Sequence, residues 1–147
     1  MAYPQKLQDL VDTLGMVDRS ERIQLLIDIA ERFREVPESV ATRPFADERK
    51  VPGCESEAYV WASKDGDGRP EFYFAVENPQ GISAKAMAVI LGDTLSGEDA
   101  ATVAGLSGDL VYEIFGRELS MGKSMGLMGM VSMVTLSAKA MAQGGAR

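Results

Sequence analysis

An α+β fold is predicted by three features of the amino-acid sequence. Apolar residues recur at helical spacing through residues 4–36, the period switches to strand-like alternation between Ala58 and Glu77, and helical spacing returns from about residue 83 to 142. The expected arrangement is two N-terminal helices, a small antiparallel sheet, and several C-terminal helices packed over one face of it. A chain of 147 residues suits a single domain, 1–147, with enough length to bury a core.

Each element follows from its local pattern. Residues 4–16, PQKLQDLVDTLGM, place Leu7, Leu10, Val11 and Leu14 on one helical face. Residues 18–36, DRSERIQLLIDIAERFREV, begin with Asp18 and Glu21 at capping-box spacing and carry a stripe of Ile23, Leu26, Ile27, Ala30 and Phe33, with Pro37 ending the helix. Residues 37–53 hold three prolines and no period, which predicts an extended connection. Ala58–Ser63 is rich in β-formers, and Glu71–Glu77 sets Phe72, Phe74 and Val76 against Tyr73 and Ala75. KDGDGRP between them predicts the turn of an antiparallel hairpin. Further helices are expected near residues 83–92, 98–104, 108–117 and 122–142.

Composition excludes more than it proposes. A net charge of −7 argues against nucleic-acid binding, which needs a basic surface. With one cysteine and no imidazole, an intramolecular disulfide, a single-chain Cys/His zinc site and a Cys–His or Ser–His catalytic pair are all impossible. No metal site is expected. The start of the chain lacks the basic and apolar regions of a secretory signal. The uncharged run between Lys123 and Lys139 is short for a bilayer and diluted by Gly and Ser. The expected location is cytoplasmic, with no membrane partner.

Two motifs have plain explanations. DGDG resembles the start of a calcium loop, but Arg69 and Pro70 occupy the next positions and no glutamate closes it, so a turn is the better reading. Met121, Met125, Met128, Met130 and Met133 crowd one segment, and thioethers bind Cu(I). Leu127, Met130, Val131 and Val134 also have helical spacing, which favours core packing for the methionines, with Gly122, Gly126 and Gly129 permitting close helix approach.

The lone thiol stands in VPGCESEAYVW, residues 51–61. An isolated cysteine is by default a small buried hydrophobe. Here Pro52 and Gly53 place it at a loop-to-strand junction, where a scaffold holds reactive groups. Arg49 and Lys50 favour a thiolate and Glu55 and Glu57 oppose it. A thiol without a base or a resolving partner is poorly equipped to run a reaction alone, and well suited to receive a group from another protein and pass it on.

Val51-Pro52-Gly53-Cys54-Glu55-Ser56 resembles the Val-x-Gly-Cys-x-Ser signature of the SufE family of sulfur acceptors. LSMGKSMGL, residues 119–127, is similar to that family's Leu-Ser/Thr-x-x-Arg-x-x-Gly-Leu motif. The order of helices, hairpin and helices resembles the family's α+β fold from end to end.

The resemblance implies a persulfide carrier rather than an enzyme. Cys54 would take sulfur from the persulfide of a SufS-like, pyridoxal-phosphate-dependent (PLP) cysteine desulfurase, stimulate that enzyme, and pass the sulfur toward the iron–sulfur scaffold machinery. The cofactor would belong to the partner, this chain needing none. Gly53 and Ser56 would shape the loop. Lys123 stands where the family has arginine, keeping the charge without the planar fork. Asn78-Pro79-Gln80-Gly81 replaces an acidic Asp-Ser-Asp-Ala stretch, and Lys85-Ala86 a Lys-Gly step. Lys85 and Lys123 are expected as partner-binding or supporting residues, the alternative being solvated helix cations. Two other readings remain open: a thiol redox sensor oxidised at Cys54 to a sulfenic acid, and a non-catalytic interaction module in which Cys54 is structural.

Overall fold

Pro4 accepts the first helical hydrogen bond, from Gln8 N–H at 2.9 Å, and opens helix α1 (Gln5–Gly15). The structure, a computed structural model, describes residues 3–144. Leu7 and Leu14 of α1 are fully buried, with Leu10 and Val11 packed beside them. Each such side chain taken from water contributes about 1.5–3 kcal/mol. The Tyr3 hydroxyl bonds the Glu113 carboxylate, and partial burial followed by that contact pushes its pKa up to about 12.

Helix α2 (Arg19–Ala30) starts where the sequence predicts, with the Asp18 carboxylate accepting from Glu21 N–H at 2.8 Å. It ends six residues before the expected limit at Val36, and its buried face is Leu26, Ile29 and Ala30 rather than a stripe through Ile23, which is half exposed. The early stop has a tertiary cause. Val36 N–H donates to the Phe74 carbonyl at 2.8 Å, and a residue before proline is held extended. The Arg22 guanidinium donates to the carbonyls of Leu14 at 3.0 Å, Ile114 at 3.1 Å and Glu113 at 3.3 Å, tying the ends of two helices together.

Strands β1 (Ala58–Lys64) and β2 (Pro70–Val76) pair antiparallel with Ala58 opposite Val76. The predicted turn closes on Asp65, whose carboxylate accepts from Asp67 and Arg69 N–H, both at 2.9 Å. One sheet face sends Ala58, Val60, Phe72, Phe74 and Val76 into the main core. The other face is covered too, a departure from the expected plain connection over residues 37–53. Val36, Trp61 and Ala75 are buried there with Phe45, Tyr59 and Tyr73 against them. Phe45 meets Trp61 edge-on, centroids 4.9 Å apart. Arg43 straps this segment down by bonding both the Glu35 and Glu77 carboxylates, and its hydrogen bonds hold Glu35 below the usual carboxylate range.

Helix α3 (Ile82–Leu95) crosses the sheet and is buried almost throughout, between β2, α2 and the last helix. Short helices α4 (Ala100–Ala104) and α5 (Leu110–Phe115) lead to α6 (Met121–Ala142), capped by the Ser120 hydroxyl on Lys123 N–H. By length and composition α6 could cross a bilayer, contrary to the expectation from its uncharged run. Its Leu127, Met130, Val131, Val134 and Ala138 are instead core side chains packed against the other elements. The main core draws buried residues from all six α-helices and both strands. The methionines divide: Met130 is buried, whereas Met121 and Met125 are 79% and 61% exposed and fill no core. They flank the part of α6 that faces a loop instead of another helix.

Candidate functional site

That loop carries Cys54. It is the tip of a second, narrower hairpin: Lys50 bridges Tyr59, and Val51 N–H donates to the Ala58 carbonyl at 2.8 Å. Within the tip, Cys54 N–H reaches the Val51 carbonyl at 3.4 Å and Glu57 N–H the Cys54 carbonyl at 3.1 Å. Two left-handed residues allow so tight a path, Gly53 at φ +70° and Glu57 at φ +52°. Glycine adopts this at no steric cost; Glu57 does so against its preference. Glu77 and Asn78 N–H then bond the Glu57 and Ser56 carbonyls, both at 3.1 Å, and lash the loop to the end of β2.

The loop rests on glycines that belong to other elements. Gly122, Gly126 and Gly129 lie on one face of α6, at helical spacings of four and three. A Cβ on Gly126 would sit 3.2 Å from Cys54 Cα and 3.4 Å from its Sγ. One on Gly129 would sit 2.8 Å from a Val51 methyl, and one on Gly122 3.3 Å from a Glu55 carboxylate oxygen. Gly81, just before α3, does the same for Ser56, with the Ser56 Cβ and Oγ and a Val76 methyl all at 2.9 Å. Four missing side chains thus make the space in which the thiol loop lies.

Cys54 is half buried and free. It borders a cavity of about 310 Å³ that Ser56, Gly81, Ile82, Lys123 and Gly126 also line. On its other side lies an open depression of about 500 Å³, walled by Asp47, Lys50 and Val51–Gly53. Cys54 therefore borders two depressions, one on each side of the loop. The first cavity lies at the first turns of α3 and α6, whose N–H groups point outward and, with Lys123, favour negative charge, while Glu55 on its wall opposes it. Ile82, 48% exposed, stands on the rim, and Met121 and Met125 precede the rim residues Gly122 and Gly126.

Of the residues singled out in the sequence, Cys54, Gly53, Ser56 and Lys123 come together at this site. Lys85 does not line either cavity. It lies half buried on α3, its N–H bonded to the Gly81 carbonyl at 2.9 Å, and no carboxylate pairs with it among the described residues. Asn78 and Gln80 replace the acids of the resemblance, and Asn78 Oδ1 accepts from Gln80 N–H at 2.9 Å, an Asx turn that shapes the cavity wall. Sequence reasoning missed the role of Gly81 and assigned the α6 glycines to helix–helix packing. The Gly122–Gly126–Gly129 spacing was the available signal, but it names a flat helix face without naming what lies on it.

Comparison with known proteins agrees with this architecture. The family model for SufE, an Fe-S metabolism associated domain, matches residues 8–138. The solution structure of a hypothetical protein from Thermus thermophilus superposes with a TM-score of 0.75 at 22% identity. That match covers 97% of this chain and 99% of the other, and shows a shared fold. No curated protein matches the chain.

Proposed function

The chain belongs to the SufE family, whose domain is associated with Fe–S metabolism, and on that premise we propose that it is a persulfide sulfur carrier acting through Cys54. A SufS-like cysteine desulfurase supplies the sulfur, its pyridoxal phosphate providing the chemistry that frees sulfur from cysteine. This chain takes the sulfur over, which clears the enzyme and raises its turnover, and delivers it toward iron–sulfur cluster assembly. It is an accessory protein that forms a covalent intermediate and needs no cofactor of its own.

The transfer is a thiol exchange. The Cys54 thiolate attacks the outer sulfur of the partner's persulfide. A bond forms between Cys54 Sγ and that sulfur, the bond to the enzyme's cysteine breaks, and that cysteine leaves as a thiolate with the electron pair. The transferred sulfur keeps its proton, and no oxidant or reductant is consumed. Such a step asks for one thiol, access and room for an added sulfur.

The observation that carries the reading is the seat of Cys54, a half-buried thiol at a hairpin tip beside a cavity of about 310 Å³. In this reading Gly53 supplies the left-handed turn before the thiol, Ser56 anchors the loop against Gly81, and Lys123 sets a cation where the persulfide becomes an anion once it releases its proton to water. The exposed Ile82, Met121 and Met125 give the partner an apolar rim to cover. Lys85, outside the cavity, belongs to the partner's contact area.

The test is intact-mass spectrometry after incubation with a SufS-like desulfurase and L-cysteine. Wild type gains one reductant-labile sulfur, and Cys54→Ser, nearly isosteric and folded, gains none. Equal gain by the variant, or none by wild type with an active desulfurase, removes Cys54 as acceptor.

A further inference from the structure

The two depressions beside Cys54 share only one charged wall residue, Glu55. The seat of the loop places its carboxylate. An oxygen of Glu55 lies 3.3 Å from where a Cβ on Gly122 would stand, and Cys54 Sγ lies 3.4 Å from the corresponding point on Gly126. These glycines are four residues apart on α6, a rise of about 6 Å. Thiol and carboxylate thus lie along one helix face, about one turn apart. That is within the screening length of about 8 Å at physiological salt, so the charge is felt at the sulfur.

Glu55 is exposed, and among the described residues no cation lies in ion-pair range of it. Its charge is not neutralised by contact, and it holds no ion pair for the fold. It sets the balance on both sides of the thiol. In the open depression Asp47 and Glu55 stand against Lys50, and without Glu55 the remaining pair cancels. In the cavity Glu55 stands against Lys123, where the first turns of α3 and α6 also favour anions. Without Glu55 that side would attract them.

We propose that Glu55 is a selectivity residue, which repels small anionic sulfur compounds from Cys54 and so reserves the thiol and its sulfur for a protein partner. The repulsion stands on the geometry alone; the sulfur it protects rests on the carrier reading above. A persulfide on Cys54 is lost when a small thiolate attacks its outer sulfur. A bond forms between the two, the bond to Cys54 Sγ breaks, and Cys54 leaves as a thiolate with the electron pair. The attacker is itself an anion, and a thiol such as glutathione brings carboxylates as well. Glu55 slows that encounter. A docking protein brings its sulfur in with many contacts, against which one charge weighs little.

Paired disulfide reagents test this on the free thiol of the full chain. The dianion dithiobis(nitrobenzoate) and the uncharged dithiodipyridine both react by attack of Cys54 on a sulfur–sulfur bond. Any change in loop exposure or thiol reactivity moves both rates alike, so their ratio reports charge. Glu55→Gln raises the ratio of anionic to neutral rate about two- to fivefold at low ionic strength, and Glu55→Lys raises it further. Near about 1 M salt, where screening shortens to about 3 Å, the three proteins converge. Asp47→Asn, which removes an acid from one depression only, has a smaller effect. On the persulfide formed with the desulfurase, stripping by glutathione relative to mercaptoethanol rises in Glu55→Gln by a similar factor. A ratio that ignores Glu55→Gln or ignores salt overturns the proposal, and so does an equal effect of Asp47→Asn, which would make the selection a property of general surface charge. A changed reagent ratio with no persulfide on wild type overturns the carrier reading and leaves the charge screen standing.

Discussion

The two loops that bracket β1 use glycine in opposite ways. The turn from Lys64 to Pro70 contains its own glycines, Gly66 and Gly68, and a Cβ on either would meet nothing within 4 Å. The hydrogen bonds of its tip are internal, held by the Asp65 carboxylate, and only its end reaches outside, where the Arg69 guanidinium donates to the Gly97 carbonyl at 3.2 Å and the Pro70 carbonyl accepts from Gly97 N–H at 2.8 Å. The Cys54 loop contains one glycine, Gly53, and depends on four more that lie elsewhere in the chain, Gly81, Gly122, Gly126 and Gly129. In the first loop glycine serves local backbone conformation. In the second it removes side chains from the opposing surface so that another segment can come close. The thiol site is therefore built as much by α6 and the entry to α3 as by the motif that carries the cysteine.

This difference is broken most forcibly at Gly81. A methyl there falls 2.9 Å from Ser56 Cβ, Ser56 Oγ and a Val76 methyl at once, and no helix interior stands to gain. Gly81→Ala is expected to cost about 1–3 kcal/mol by overpacking and to lower the midpoint of urea unfolding. A variant as stable as wild type would mean that the loop has slack that the contacts do not reveal.

Gly126→Ala sharpens the comparison by separating stability from access. The new methyl meets the backbone of Cys54 at 3.2 Å, so the loop has to give. Alanine in the interior of α6 contributes about 1 kcal/mol of helix propensity, which offsets much of an overpacking cost of about 1–3 kcal/mol. The expected result is a small change in unfolding midpoint together with severalfold faster labelling of Cys54 by a maleimide. Faster labelling with a large loss of stability would instead report general loosening. Unchanged labelling would show that Gly126 does not set the depth of the thiol.

What could be read from the sequence follows the range of each signal. The hairpin was legible because alternation and the Asp-Gly turn lie within residues 58–77, and helix α1 because four apolar residues share a turn-by-turn period. The Val-Pro-Gly-Cys stretch marked the thiol loop for the same reason. The early end of α2 was not legible, since it depends on Val36 meeting Phe74, 38 positions away. Nor was the covering of the outer sheet face, where Arg43 must find Glu35 on one side and Glu77 on the other. The glycine seat pairs Cys54 with Gly126 and Ser56 with Gly81. Each glycine alone has an ordinary explanation, and only their convergence on one loop identifies the role.

The smallest effects belong to the turn, and their pattern matters more than their size. Gly68 has φ +79°, so Gly68→Ala costs about 1 kcal/mol from backbone strain with no contact involved. Gly66 lies in open space without that constraint, and Gly66→Ala is expected to be neutral or to stabilise by a few tenths up to about 1 kcal/mol, through reduced freedom of the unfolded chain. Neither substitution should change Cys54 labelling. Measured beside Gly126→Ala by unfolding and thiol labelling, the pair asks whether the two loops are independent. If Gly68→Ala altered labelling at Cys54, strain would be passing along β1 from one loop to the other, and the division between a self-contained turn and a seated loop would fail.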